Sequence, residues 1–154
     1  MGSLGYARLK PSRYGRAQFL ALCVLLGLRG SAIAPVPFTT IDRGQQSNLD
    51  EPRQIVVRTA AEWTKLWNQH AGEGRDKPPI DFTKSTVIGV FMGSRPTGGY
   101  ATDITAIEKE GTELTVNYKE QNPAPRAMLS QALTMPFHLV KIDRHTGAVK
   151  FKKG

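Results

Sequence analysis

The segment Thr86-Val87-Ile88-Gly89-Val90-Phe91-Met92 is apolar on both faces of an extended chain. A strand of that kind must be covered on two sides, so the run demands a central place in a sheet with a layer on each face. The chain before it supplies one cover. In Thr59-Ala60-Ala61-Glu62 the Thr and Glu are spaced as a capping box, in which each side chain satisfies a backbone N–H at a helix start. Trp63, Leu66, Trp67 and His70 then recur at helical spacing, and Gly72 closes the segment. Two indoles on one stripe read as the core-facing side of a helix; a ligand platform is the competing reading.

Around this pair the strand signals accumulate. Residues 53–58 are β-rich, 100–107 alternate, and 113–120 give the clearest period of two, with Leu114, Val116 and Tyr118 on one face. Residues 128–134 suit helix or strand and read better as a strand, and 137–143 with 148–152 read as a closing hairpin around Arg144-His145-Thr146-Gly147. The expected fold is α+β, with one amphipathic helix packed on a mainly antiparallel sheet or partly open sandwich of about six or seven strands. If 86–92 runs up, 100–107 down and 113–120 up, the loops 93–99 and 121–127 lie at one end of the sheet. The 108–112 turn then lies at the other.

Composition enters through the charge. The chain has 154 residues, 40% of them hydrophobic, and a formal charge of +8, a balance that first suggests nucleic acid or an anionic membrane. Yet five of the 21 Lys+Arg (Arg8, Lys10, Arg13, Arg16 and Arg29) fall in residues 1–34, which hold no acid. That leaves 16 Lys+Arg against 13 Asp+Glu, a net of +3, and removes the case for nucleic acid. After the basic cluster come an apolar run over residues 17–28 and small residues at Gly30, Ser31, Ala32 and Ala34, the layout of a secretory signal peptide. Residues 1–34 are therefore expected to direct export to the periplasm, cell surface or medium. An uncleaved anchor is the alternative, although Arg29 interrupts the run well before the roughly 20 residues a span needs. Membrane contact is expected only in that case. The single cysteine, Cys23, lies in the same segment, so the exported part has no thiol for catalysis or metal binding. Residues 35–52 read as a linker with room for an edge strand at 38–42, and 53–153 as the domain.

Reactive constellations are sparse. His70, His138 and His145 are not at metal-ligand spacing, no Ser lies in GxSxG or SxxK, and no phosphate-binding glycine motif occurs, so no catalytic residue, metal or cofactor is assigned. A ligand-binding or hydrolytic site would require a pocket joining Trp63 or Trp67 to His70 and a carboxylate. What remains is Ser94-Arg95-Pro96-Thr97-Gly98-Gly99-Tyr100, a loop that Pro and Gly fix in shape while Arg95 and Thr97 offer donors and Tyr100 an aromatic anchor. With Arg126 from the second proline loop, these residues form the candidate partner-binding site. The same residues also suit a tight connection with no further role.

The block 87–100, ending in Arg-Pro-Thr-Gly-Gly-Tyr, together with the later Thr134-Met135-Pro136-Phe137-His138-Leu139-Val140-Lys141-Ile142, resembles the C-terminal domain of the protease-complex subunit PrcB over roughly residues 53–153. That resemblance implies an exported, non-catalytic accessory domain that associates with a subtilisin-like or other envelope protease and stabilises or modulates it. It carries over no catalytic residues. This chain lacks the family founder's lipobox and its large N-terminal partner domain. A weaker similarity links Pro96-Thr97-Gly98-Gly99-Tyr100 to a loop of chagasin-like peptidase inhibitors, which keeps direct inhibition as an alternative.

Overall fold

The computed structural model describes residues 30–154, so the basic cluster and apolar run of the expected signal lie outside the described residues. Among the described residues no helix is long and apolar enough to cross a membrane.

The elements are β1 (Ile33–Pro35), β2 (Thr39–Gly44), β3 (Arg53–Val57), α1 (Ala60–Ala71), β4 (Ser85–Phe91), β5 (Ala101–Glu110), β6 (Glu113–Gln121), β7 (Phe137–Asp143) and β8 (Val149–Lys153). They form two four-stranded sheets, β1-β5-β6-β8 and β2-β7-β4-β3, with α1 on the outer face of the second. The α+β class stands. The strand count of six or seven and the single-sheet meander do not: eight strands are described, and β4 lies in a different sheet from β5 and β6.

The doubly apolar β4 is what makes three layers necessary. Val87 and Phe91 face the helix, where Trp63, Leu66 and Trp67 complete one core with Val57, Leu49, Phe137 and Leu139. Ile88 and Val90 face the first sheet and pack with Val140, Ile142, Ile104, Ile107, Leu114, Val116 and Tyr118. The helix begins as its sequence dictates: Thr59 accepts the Glu62 N–H at 3.2 Å, and the Glu62 carboxylate accepts the Thr59 N–H. Both indoles are buried and donate to backbone carbonyls, Trp63 to Pro78 at 3.0 Å and Trp67 to Arg75 at 3.1 Å. The ligand-platform reading therefore fails, and the stripe is core.

Three further expectations change. Residues 35–52 are built into the fold: β2 is an edge strand on β7, and Ser47 and Leu49 are buried. The closing hairpin does not form, because β7 joins the second sheet while β8 pairs with β6 in parallel. The chain is turned across by its corner. The Thr86 hydroxyl accepts the His145 N–H at 2.9 Å, and Arg58 donates to the His145 and Gly147 carbonyls. Gly147 passes so close to the 111–112 turn that a Cβ there would lie 2.0 Å from the Thr112 carbonyl oxygen. Residues 128–134 are irregular rather than a strand, with Thr134 alone bridged, to Arg95.

Candidate functional site

The 94–100 loop leaves the end of β4 and is stitched to the irregular segment opposite it. Arg95 and Thr134 exchange both backbone hydrogen bonds, at 2.7 and 2.9 Å. The Gly98 N–H donates to Ser130 O at 2.9 Å, and the Thr134 hydroxyl donates to Thr97 O at 2.8 Å. At its base Ser94 N–H reaches Asp50 O at 2.8 Å. Gly99 has φ +84°, and a Cβ there would meet Leu129 Cδ2 at 2.8 Å and Pro123 Cβ at 3.1 Å. The two proline-containing loops do therefore share one end of the molecule, although they leave different sheets.

Of the candidate residues, Pro96 and Gly99 are exposed, Gly98 is buried, and Ser94, Arg95, Thr97 and Tyr100 are half-buried. The Arg95 guanidinium carbon lies 5.8 Å from the centroid of the Tyr100 ring, a cation–π arrangement that holds both side chains in place. Arg95 Nε is buried and has no hydrogen-bond partner among the described residues. Arg126 is exposed in a turn at φ 64°, and no hydrogen bond or cation–π contact among the described residues joins it to the loop.

Sequence reasoning missed two neighbours. Met128 is 103% exposed and Leu133 58%, both on the segment that braces the loop. Read as a strand, that segment promised alternate burial, and its own composition carries no sign that it is irregular instead.

Beside the loop runs a shallow groove of about 280 Å³ between β2 and β5, lined by Arg43, Gln45, Thr102 and Asp103. Gln45 donates to the Tyr100 carbonyl at 3.0 Å, and Arg43 pairs with Asp103 at 2.9 Å. Behind them His138 ties three strands. Its Nδ1 accepts the Ile104 N–H at 2.9 Å, so Nε2 carries the proton and donates to Thr40 Oγ1 at 2.9 Å. Burial lowers the His138 pKa, with Asp103 pulling it up and Arg43 pushing it further down.

A second histidine network is deeper. His70 is completely buried, edge-on to Phe137 at 4.2 Å; its Nδ1 meets Ser47 Oγ at 2.9 Å and its Nε2 meets Asp42 Oδ2 at 3.4 Å. Ser, His and Asp are linked as in a hydrolase triad but with the ring nitrogens exchanged, Ser47 on Nδ1 and Asp42 on Nε2; Ser47 is also only 4% exposed, and Trp67, Phe91 and Phe137 close around the ring. No substrate carbonyl can approach it, so the network acts as a tie between α1 and β2. Burial lowers the His70 pKa, against the opposing pull of Asp42. Among the described residues no three His, Cys, Asp or Glu side chains gather as a metal site.

No curated protein and no solved structure matches the chain. The family model described as PrcB C-terminal matches residues 86–143, the stretch from β4 through β7 that contains the candidate loop and its brace. The resemblance to the PrcB C-terminal family drawn from the blocks around Arg95 and Phe137 is thus supported over residues 86–143.

Proposed function

We propose that this chain is an exported, non-catalytic accessory domain that docks on an envelope or secreted protease, and stabilises or modulates it, through the 94–100 loop. The observation that carries this reading is the construction of that loop. Paired hydrogen bonds to residues 130–134 fix its backbone before any partner arrives, so little ordering entropy remains to be lost on binding. Around it stand the features of a binding centre: an aromatic ring and an arginine held together, an exposed proline, and the outward Met128 and Leu133. The family match supports the class of partner, since the resemblance is to a subunit of a protease complex. Export rests on the composition of residues 1–34.

The test is co-purification of the full chain with a subtilisin-like protease of the same envelope. Arg95→Ala combined with Tyr100→Ala should weaken binding by about 2 kcal/mol or more while circular dichroism is unchanged. Binding that survives the double change removes the loop from the interface. Direct inhibition is the second reading, favoured by the exposed Pro96 at the apex of a braced loop. Titrating proteases of each catalytic class with the domain decides it, and unchanged activity throughout rejects it.

A further inference from the structure

Four strands lie at sheet edges: β1 and β8 in the first sheet, β2 and β3 in the second. A free edge pairs with any extended chain that reaches it, and folded proteins guard their edges with shortness, proline, bulges or lysine. Three of these edges are guarded. β1 is three residues long and ends on Pro35, β2 shifts register between Thr40 and Asp42, and β8 carries Lys150, Lys152 and Lys153. β3 has none of these devices. It pairs with β4 without a shift from Arg53 to Val57, and Gln54-Ile55-Val56-Val57 contains no Lys, Pro or Gly. Beside it lies a groove of about 250 Å³ between strand and helix, walled by Ile55, Val56, Val57 and Leu66 and rimmed by Glu62, Lys65 and Gln69.

We propose that β3 and α1 form a second docking site, separate from the 94–100 loop, that receives an extended acidic segment of a partner protein as an added strand of the second sheet. The ladder of main-chain hydrogen bonds supplies affinity, and every second side chain of the guest drops into the groove. Charge selects the guest. Lys65 is exposed and makes no ion pair among the described residues, and Arg53 opens the strand, while the Arg58 guanidinium beyond its far end is held by the His145 and Gly147 carbonyls. The one carboxylate in the groove lining, Glu62, is committed to the N–H groups of Arg58 and Thr59.

The experiment is selection of random peptides displayed on phage against the immobilised full chain, followed by calorimetric titration of the strongest binder as a synthetic peptide. The expected winner alternates apolar residues with Asp or Glu and perturbs the amide resonances of β3. Lys65→Glu, an exposed change that leaves the fold intact, should raise its Kd about tenfold. Val56→Lys, which gives β3 the guard that β8 has, should abolish binding. Arg95→Ala with Tyr100→Ala should leave it unchanged, so failure at this edge is distinguishable from failure of the loop reading. Absence of any selectable binder, a basic winner, or perturbations centred away from β3 overturns the proposal. So does a dimer of the free protein that Val56→Lys dissolves, since that assigns the edge to a second copy.

Discussion

Gly99 combines a φ of +84° with a wall 2.8 Å from where a Cβ would sit, so any side chain there is strained and crowded at once. Gly99→Ala should cost about 1–3 kcal/mol in urea denaturation and loosen the loop, whereas an unchanged midpoint would mean that the brace yields freely. Its neighbour Gly98 has an ordinary φ and room for a Cβ, 3.4 Å from Ser130 Cβ, and its part in the brace is the N–H that it donates to Ser130 O. From sequence the pair looked equivalent; the division of labour depends on which residue meets which opposing chain. Two of the three buried histidines, His70 and His138, make a pH prediction. Each has its pKa lowered by burial from an ordinary value of 6.5, so below that pH the unfolded chain binds protons that the folded one refuses. Their contribution is complete above the unfolded value and is lost as pH falls through the lower folded value. Unfolding free energy should therefore drop on acidification below about pH 6.5, by up to ~1.4 kcal/mol per unit for each histidine. His138→Gln keeps an acceptor for Ile104 and a donor for Thr40 while removing the titration. It should flatten that slope by about half, and a slope equal to the parent's would show that His138 takes no part in it.

At the scale of elements, what the sequence made legible was whatever short-range chemistry fixes. The capping box at Thr59 and Glu62 and the closing Gly72 set the limits of α1, and the doubly apolar run at 86–92 placed β4 between two layers. What was not legible depended on partners far along the chain. The alternation in β8 is the same whether it pairs with β7 or β6, and the choice is made by the buried corner at His145, whose hydrogen bonds go to Thr86 and Arg58. The 128–134 segment has strand composition but finds its backbone partners in the 94–100 loop, an arrangement no periodicity encodes. Thr86→Val tests the corner. It leaves the His145 N–H without its acceptor and should cost about 1–3 kcal/mol, with hydrogen exchange accelerated first in β8. Exchange accelerated uniformly, with β8 no different from β4, would show that the corner does not hold the strand.

The whole molecule has two distinct ends, and the strand registers say which terminus belongs to which. Ile33 of β1 lies opposite Glu110, so the chain enters the sheets beside the 111–112 turn. The candidate loops lie at the other end of β5, roughly 30 Å away at about 3.3 Å per residue, where Ala101 faces Gln121. The far terminus runs toward that end: β8 is parallel to β6, Lys153 pairs with Tyr118, and the Gly154 N–H donates to the Tyr118 carbonyl at 2.8 Å. The candidate residues were readable in sequence as a loop, but this polarity was not, because it turns on the parallel pairing of β8. It yields a prediction that needs no change inside the domain. A bulky fluorescent protein joined after Gly154 through a short linker should hinder docking on the protease, and the same protein joined ahead of Gly30 should leave it intact, both measured as Kd by titration. The opposite pattern, with the N-terminal fusion blocking and the C-terminal one harmless, would move the interface to the end that carries the 111–112 turn and away from Arg95 and Tyr100. Should an N-terminal segment tether the domain to a membrane, the same polarity turns the 94–100 loop outward, toward proteins approaching from the aqueous side.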